Sequence, residues 1–334
     1  MKKFLLLLLV ASTIFISCQN PVDELSNPEI NIDLTDQTTF AKVNSKPCFS
    51  KEALDKNLVS DPDLANRMSV IEEHSQKIIK EGNFRRLENG SIVIPVVFHV
   101  IYRTASENVS LSTLQDQIDI LNEDFNLQNP ERNTIPSEFS SVEANVGITF
   151  EIQDVIRVYN RRRSWSLNNA YEKMKSASSG GSNVVNPSEY LNIWVVNNMT
   201  YRDRGSTFTV LGYAQFPGGA SNTDGVVLGS RYTGYTSISS GRTATHEVGH
   251  YLNLYHIWGD GGCGATDLVA DTPDAISESR GCPTYPQNSC GSNDMTMNFM
   301  DYSDDSCLNM FTVGQKARMD ALFVNGGARA SMGD

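Results

Sequence analysis

The sequence predicts an α+β fold built around a mixed β-sheet. Residues 92–101 form a continuous apolar run typical of a buried strand, the next segment repeats apolar residues at helical spacing, and several later stretches alternate apolar and polar residues. Of the 334 residues, 40% are hydrophobic and 20% are charged, which is ordinary for a globular protein. This composition excludes a disordered or collagen-like chain.

The charge balance limits the class of partner. Lys and Arg number 27 against 39 Asp and Glu, so the formal net charge is -12. Binding to nucleic acid requires a basic surface that can neutralise phosphates. We therefore expect no nucleic-acid partner, and a positively charged partner is easier to accommodate.

An export signal is predicted over residues 1–18. An apolar run from Phe4 to Ile16 follows two lysines, and at about a dozen residues it is too short to span roughly 30 Å of hydrocarbon. Its end resembles a bacterial lipobox, in which Cys18 would become the lipidated first residue. The alternative is a secretory signal with an incidental cysteine. Either predicts an exported protein, extracellular or on the outer-membrane surface, with membrane contact only through a lipid.

Periodicity and turn residues predict the remaining elements in chain order. Residues 19–46 are polar and lack periodicity, which favours a flexible tether, whereas 50–81 have a helical pattern. The predicted core elements are strands over 92–101, 148–152, 191–195, 213–216 and 226–228, and a helix over 114–125. Thr312 and Gln315 form a capping box before a last helix that reaches about Phe323.

Three of the five histidines fall within eleven residues and have the spacing of metal ligands. His246 and His250 are four residues apart, so on a helix they share one face and can bind a single ion. If the helix continued, His256 would lie about 15 Å further along it, so the helix must end before His256 can join them. Asn253 stands where this turn is needed, and Asn readily adopts the left-handed conformation that ends helices.

This arrangement predicts a catalytic zinc site. Three imidazoles leave the fourth tetrahedral position of zinc open to water, whereas a structural site closes with four protein ligands. Zinc lowers the pKa of bound water toward about 7, and the adjacent Glu247 can act as general base and pass the proton to a leaving amine. The chemistry suits hydrolysis of a peptide bond. A zinc-braced binding or adhesion module without catalysis is the alternative, and Glu247 argues against it.

The segment HEVGHYLNLYH resembles the long zinc motif of the metzincin metallopeptidases, with Asn253 where most members have glycine. Downstream, NFMDY resembles the Met-turn of the pappalysin family within that group. The resemblance implies that Met300 forms an apolar floor under the zinc and that Tyr302 stabilises the oxyanion of the tetrahedral intermediate. Core packing among neighbouring methionines is the other interpretation of Met300.

The resemblance extends to IPVVFHVIY, QIDILNEDF and DYSDDSCLNMFT, and so covers most of residues 90–325. It implies a metzincin-type catalytic domain over 87–334, with a twisted mixed sheet, backing and active-site helices, and an irregular C-terminal half tied by disulfides. The implied activity is that of a zinc-dependent endopeptidase acting on proteins or peptides. We expect it to be a monomer.

The cysteines suggest two disulfides in an oxidising compartment. Besides Cys18, Cys48 stands alone and four others cluster near the C-terminus, where they allow three pairings. The family resemblance favours the interleaved pairing, which joins Cys263 with Cys290 and Cys282 with Cys307.

Two acidic segments are assigned by resemblance. DLVADTPD resembles the calcium-binding loop of these peptidases, and its oxygen ligands suit one or two structural calcium ions; the candidate ligands are Asp267, Asp271, Thr272 and Asp274. Some family members cleave before Arg or Lys. Asp304 and Asp305, beyond the Met-turn, are the candidates that would pair with such a side chain.

Cys48 is predicted to keep a precursor latent. PCFSKEALDKNLVSDP resembles the pro-segments of related proenzymes, in which a thiolate occupies the open zinc position. Residues 19–86 would then be tether and inhibitory pro-segment, and activation would require cleavage near Arg85 and Arg86. A cysteine that pairs with another chain, or an inert one, is the alternative.

Overall fold

An eight-stranded mixed sheet organises the part of the chain that the computed structural model describes, residues 44–84, 92–169 and 171–332. Its strands are β1 (Ser45–Cys48), β2 (Ile92–Tyr102), β3 (Ile148–Tyr159), β4 (Trp165–Ser166), β5 (Leu191–Val196), β6 (Met199–Asp203), β7 (Ser206–Ala214) and β8 (Val226–Gly229). The α+β prediction is confirmed. The predicted export signal, Cys18, Arg85 and Arg86 lie outside the described residues.

The strand order is β3-β2-β5-β8-β7-β6-β4, with β1 paired to β7. β2 pairs in parallel with both β3 and β5, and its near-continuous apolar sequence fits a strand that is covered on both faces. β7 runs antiparallel to β8 and to β6, and β1 adds to it in parallel. The sheet is therefore mixed and mostly parallel.

Five α-helices accompany the sheet in the described residues: α1 (Ser50–Ser60), α2 (Leu64–Glu81), α3 (Leu111–Phe125), α4 (Arg242–Tyr251) and α5 (Val313–Asp320). α3 packs against β3 and α4, and α4 packs against β7 and β8. The side chain of Ser110 caps α3, and the predicted capping box of Thr312 and Gln315 begins α5. None of the described helices is long and apolar enough to cross a membrane.

The described residues form two main apolar cores and a small third cluster of Ile78, Ala321 and Val324. The larger contains the buried residues of α3 and α4 with Phe98, Phe150 and the apolar part of the C-terminal half. The smaller gathers Phe49, Trp165, Trp194 and Tyr213. β7 contributes to both cores because successive side chains of a strand point to opposite faces.

The segment 252–312, between α4 and α5, contains no strand or α-helix. Two disulfides tie it: Cys263 with Cys290, 27 residues apart, and Cys282 with Cys307, 25 residues apart. Loops of this length are worth roughly 3 kcal/mol each in the chain-entropy account of disulfide stabilisation. The pairing is the interleaved one that the family resemblance implies.

The structure corrects two boundaries. β1 begins at Ser45, inside the segment expected to be a tether, because its backbone pairs with β7 although its side chains show no alternation. β7 begins at Ser206, where a strand was expected only from residue 213, and forms a hairpin with β6. Both differences arise from backbone pairing with distant segments, which a local pattern does not reveal.

The C-terminal segment holds the end of α4 through a buried ion pair. Arg329 and Asp224 are almost inaccessible, and one Arg329 Nη donates to Asp224 over 2.9 Å. The guanidinium also lies 3.6 Å from the ring centroid of Tyr251, the last residue of α4.

We expect Arg329→Met to lower the free energy of unfolding by about 3–5 kcal/mol, because it leaves the Asp224 carboxylate buried without its partner. Urea unfolding measures the loss, and Arg161→Met, at an exposed arginine, is the control. Equal unfolding curves for the two variants would contradict this role for the pair.

Candidate active site

α4 places three of the predicted site residues and is fastened to α3. At its first turn Arg242 donates to Asp124 over 3.4 Å and pairs with Glu131 over 2.6 Å. Thr245 Oγ1 donates to the second oxygen of Asp124 over 2.7 Å. These buried contacts fix the rotation of α4, so His246, Glu247 and His250 point to one side.

The chain turns back after α4 as the sequence predicts. The helix ends at Tyr251, and Asn253 adopts φ +70°, the left-handed conformation. The turn returns His256 to the other two histidines. The Nε2 atom of His250 then lies 3.1 Å from Nε2 of His246 and 3.1 Å from Nε2 of His256.

The opposite nitrogen of each imidazole is held by an acceptor. His246 Nδ1 donates to the carbonyl of Phe299 and His250 Nδ1 to the carbonyl of Leu254, both over 2.8 Å. A carbonyl can only accept, so these Nδ1 atoms carry the protons and the Nε2 atoms present lone pairs. Asp260 Oδ1 lies 2.7 Å from His256 Nδ1 and imposes the same tautomer.

Three lone pairs that face one another at this distance repel unless a cation lies between them. In a tetrahedral zinc site with Zn–N bonds of 2.0–2.1 Å, ligand nitrogens are about 3.3 Å apart, close to the separations seen here. Burial lowers the pKa of His246 to about 3 and also lowers that of His250, which keeps both imidazoles neutral as ligands must be. The donor set therefore fits zinc.

Glu247 lies beside the histidines and is fully buried. A Cβ on Gly212 of β7 would lie 2.9 Å from Glu247 Cγ, so the absence of a side chain there makes room for the carboxylate. Burial raises the pKa of Glu247 to about 8, although hydrogen bonds from Ser50 and Cys48 partly oppose the shift. A carboxylate held in such an apolar position accepts protons readily.

Cys48 reaches the same cluster from β1. Among the described residues, one group of three or more His, Cys, Asp or Glu can hold a metal, and it consists of Cys48, His246, His250 and His256 with ligand atoms within 4.8 Å of one another. Burial, followed by the nearby Glu247 charge, raises the pKa of the Cys48 thiol. A thiolate at this position therefore requires a cation beside it, such as a zinc ion held by the imidazoles.

Ser50 was not predicted from the sequence, although it makes a short, buried contact with Glu247. Its hydroxyl donates to Glu247 Oε2 over 2.6 Å and accepts from the backbone N–H of Ala214 over 2.8 Å. Cys48 Sγ lies 3.4 Å from the same carboxylate oxygen. A lone serine at the start of a helix has no sequence signal that distinguishes it from an ordinary capping residue.

Met300 and Tyr302 flank the cluster. Met300 is fully buried beneath α4, and a Cβ on Gly249 would lie 2.4 Å from its sulfur, so helix and Met-turn pack closely because residue 249 is glycine. The ring of Tyr302 lies 5.5 Å from that of His246 and 5.0 Å from that of His256. Burial raises the pKa of Tyr302, which keeps its hydroxyl protonated and able to donate.

A cleft of about 570 Å³ adjoins His246, Glu247 and Tyr302. Asp304 and Asp305 both line it. Asp305 Oδ2 accepts from Ser239 Oγ over 2.8 Å and from the backbone of Ser240 over 2.7 Å, so this carboxylate already closes the loop before α4. Asp304 is exposed in the lining and is the better placed of the two to meet a substrate side chain.

The predicted calcium ligands make contacts within the protein, and Asp274 among them is exposed. Asp271 accepts from Thr312 Oγ1 over 2.6 Å and from the backbone of Gly314 over 2.8 Å, and so caps α5. Asp267 instead accepts from Thr272 Oγ1 over 2.8 Å. Two of the four candidates are thus in direct contact, and calcium binding in this segment stays a prediction.

Asp260, which the sequence analysis did not single out, accepts from His256 and so orients its ring. We expect Asp260→Ala to weaken metal binding about 10- to 100-fold, as is usual when the hydrogen-bond partner of a metal-bound histidine is removed. Competition with a chromogenic chelator measures the affinity. Asp203→Ala, at an exposed carboxylate at the end of β6, should leave the affinity unchanged. Unaltered affinity in the Asp260 variant would show that the histidines need no such partner.

Comparison with known proteins agrees with this geometry. The profile of the peptidase M43 family, described as pregnancy-associated plasma protein-A, matches residues 180–324. An extracellular metalloprotease of Pyricularia oryzae is 34% identical over 254 residues, which cover 70% of this chain and 76% of that protein. Extracellular metalloprotease 1 of Coccidioides posadasii is 34% identical over 268 residues, covering 75% and 84%.

Solved structures are similar as well. Mature mirolysin of Tannerella forsythia, in complex with a cleaved peptide, is 38% identical, covers 73% of this chain and 96% of its own, and superposes with a TM-score of 0.67. A mutant of Tannerella forsythia promirolysin is 35% identical with a TM-score of 0.74, and it covers 86% of this chain and 97% of its own. The chain belongs to the pappalysin family and is a zinc metalloendopeptidase.

Proposed function

We propose that the protein is an exported endopeptidase, made as a latent precursor, in which His246, His250 and His256 bind one catalytic zinc ion and Glu247 is the general base. The observation that carries the proposal is the position of the Glu247 carboxylate, buried beside three converging imidazole nitrogens on the wall of an open cleft. The relatives named extracellular metalloproteases support export.

The chain's own residues supply binding and proton transfer. A bound zinc ion would polarise the attacking water and the peptide carbonyl. Glu247 takes the proton of that water and delivers it to the leaving amine, a contribution of typically 10²–10⁴-fold in rate. The hydroxyl of Tyr302 donates toward the carbonyl oxygen as negative charge develops there.

A zinc-braced binding module is the competing function. A structural zinc site is closed by four protein ligands and has no need of a buried carboxylate next to them. Here the fourth candidate ligand is Cys48, which belongs to the proposed pro-segment, so its departure would open the site. This difference favours the peptidase.

The Glu247→Ala variant tests the mechanism. We expect it to retain zinc, because three imidazoles remain, and to lose about 10²–10⁴-fold in peptide hydrolysis. Each precursor is cleaved with trypsin, the trypsin is inhibited, and zinc content and turnover of a denatured protein are measured. His250→Ala should lose both zinc and turnover, and Glu247→Ala with parental turnover would refute the role of Glu247.

Latency is proposed to depend on two contacts. The thiolate of Cys48 would close the zinc position that water needs, while Ser50 bonds to the carboxylate of Glu247. Ser50 also occupies the backbone N–H of Ala214, a donor on β7 that an incoming peptide could use. The metal, the base and the strand would thus be blocked together until cleavage near Arg85 and Arg86 releases residues 19–86.

We expect the full-length precursor to become partly active when either contact is removed. Cys48→Ala should raise its activity most, and Ser50→Ala by about tenfold or more, as suits the loss of a buried hydrogen bond to a charged group. Ser69→Ala, at an exposed serine of α2, is the control. Precursors as inactive as the parent would show that bulk obstruction by α1 and α2 is sufficient for latency.

Three finer assignments stay predictions: lipidation of Cys18, calcium in the segment 267–274, and cleavage before basic residues. The exposed carboxylate of Asp304 supports the last of these. Since the charge of Asp305 is already used within the fold, the preference would depend on Asp304 rather than on both acids.

A further inference from the structure

Phe49, the residue after Cys48, fills an aromatic pocket beside the metal-binding cluster. It is completely buried. Its ring centroid lies 4.9 Å from that of Tyr201, 6.1 Å from that of Tyr213 and 6.3 Å from that of Tyr171. Edge-on and tilted contacts at these distances are favourable for aromatic rings. We call the three tyrosines the tyrosine pocket.

The register of β1 on β7 explains how Phe49 reaches this pocket. Cys48 lies opposite Gly212, on the face where Glu247 packs. The backbone N–H of Phe49 donates to the carbonyl of Gly212 over 3.1 Å, which continues the pairing by one residue. Successive side chains of an extended chain alternate in direction, so Phe49 points to the opposite face, toward Tyr213.

The walls of the tyrosine pocket belong to the catalytic part of the chain. Tyr201 lies on β6 and Tyr213 on β7, while the hydroxyl of Tyr213 donates to the carbonyl of Tyr171 over 3.1 Å. The hydroxyl of Tyr213 also lies 3.2 Å from the sulfur of Met174. Tyr213 is thus held by contacts that do not involve the pro-segment, whereas the hydroxyl of Tyr171 donates to the side chain of Asn57 on α1. Release of Phe49 would therefore leave an apolar pocket whose walls are Tyr201 and Tyr213.

A substrate peptide that pairs with β7 as an additional strand also directs successive side chains to opposite faces of the sheet. This holds whether the peptide is parallel or antiparallel to β7. When one of its residues lies opposite Gly212 at the metal cluster, the next side chain on the Tyr213 side points to the tyrosine pocket. A charged side chain would lose its hydration in this pocket, which is unfavourable. A large apolar side chain would instead bury its own apolar surface and that of the pocket, which is favourable.

We propose that, in the processed enzyme, the tyrosine pocket binds a large apolar side chain of the peptide substrate, preferably an aromatic one, next to the residue at the metal cluster. The pocket is therefore a second determinant of specificity, independent of the acidic cleft lined by Asp304. This inference rests on the proposed function, because it assumes that peptides bind along β7 after the pro-segment has left.

A scan of one cleavable peptide tests the pocket. Phe, Ala and Asp are placed in turn at each position flanking the bond that the processed enzyme cuts. We expect one position at which Phe raises kcat/KM about tenfold over Ala, as suits burial of a large apolar side chain, and Asp lowers it. Cleavage without such a position would overturn the pocket, whereas no cleavage of any peptide would overturn the proposed function instead.

Variants of the pocket identify its walls. Tyr201→Ala should abolish the advantage of Phe over Ala at that position through KM, while Tyr201→Phe should keep the advantage because the ring remains. Tyr159→Ala, at an exposed tyrosine on β3, is the control. If Tyr201→Ala and the control show the same preference, the side chain binds elsewhere and the proposal is wrong.

The precursor gives an independent measurement. Phe49→Ala removes the occupant of the pocket but leaves Cys48 and Ser50 in place, so we expect trypsin to release the pro-segment faster than from the parent. Val59→Ala, at an exposed apolar residue of α1, provides the comparison. An unchanged rate for Phe49→Ala would show that the pocket does not hold the pro-segment.

Discussion

The structure depends on the mutual approach of three imidazole nitrogens that repel one another. His246, His250 and His256 each use Nδ1 to donate to an acceptor from a different part of the chain, and each therefore presents a lone pair at Nε2. Among the described residues, no cationic group lies between these lone pairs. The fold must hold the three rings in place through contacts elsewhere, and a metal ion supplies the attraction that the ligands lack.

The backbone acceptors that orient His246 and His250 lie in two different loops of the C-terminal half. Phe299, which accepts from His246, precedes the Met-turn residue Met300, so the same loop orients a ligand and packs under α4. Leu254, which accepts from His250, lies in the turn that Asn253 opens. The irregular C-terminal half is thus part of the metal site. Its two disulfides limit the freedom of a segment that has no sheet or helix of its own.

The sequence predicts those parts of the site in which geometry follows from local spacing. Two histidines four residues apart share a helical face in any context, and Asn253 is a turn residue wherever it stands. Capping of α5 by Thr312 is local in the same sense. The cluster of three histidines, the adjacent Glu247 and the turn at Asn253 were therefore predicted together with strand β2.

Most of the missed features depend on contacts between distant segments. β1 is a strand only because β7 offers it a backbone to pair with, and Ser50 acts on Glu247 across 197 residues of sequence. Asp260 adopts φ +55° to reach His256, a conformation that its sequence neighbours do not require. Asp305 was assigned from the family resemblance and its position beyond the Met-turn, and the structure shows that its carboxylate accepts a hydrogen bond from Ser239.

One such long-range contact joins the proposed pro-segment to the turn between the metal ligands. Both Nη atoms of Arg318, which is nearly inaccessible, lie 2.9 Å from the carboxylate of Glu72 on α2. The same guanidinium donates to the carbonyl of Asn253 over 3.2 Å. Because Arg318 binds both Glu72 and the carbonyl of Asn253, it connects the packing of α2 to the position of the turn before His256. The proposed pro-segment therefore contacts the site from two sides, through Cys48 and Ser50 above α4 and through Glu72 at its end. If it is the inhibitory segment of a precursor, its docking and the closure of the site depend on the same interactions.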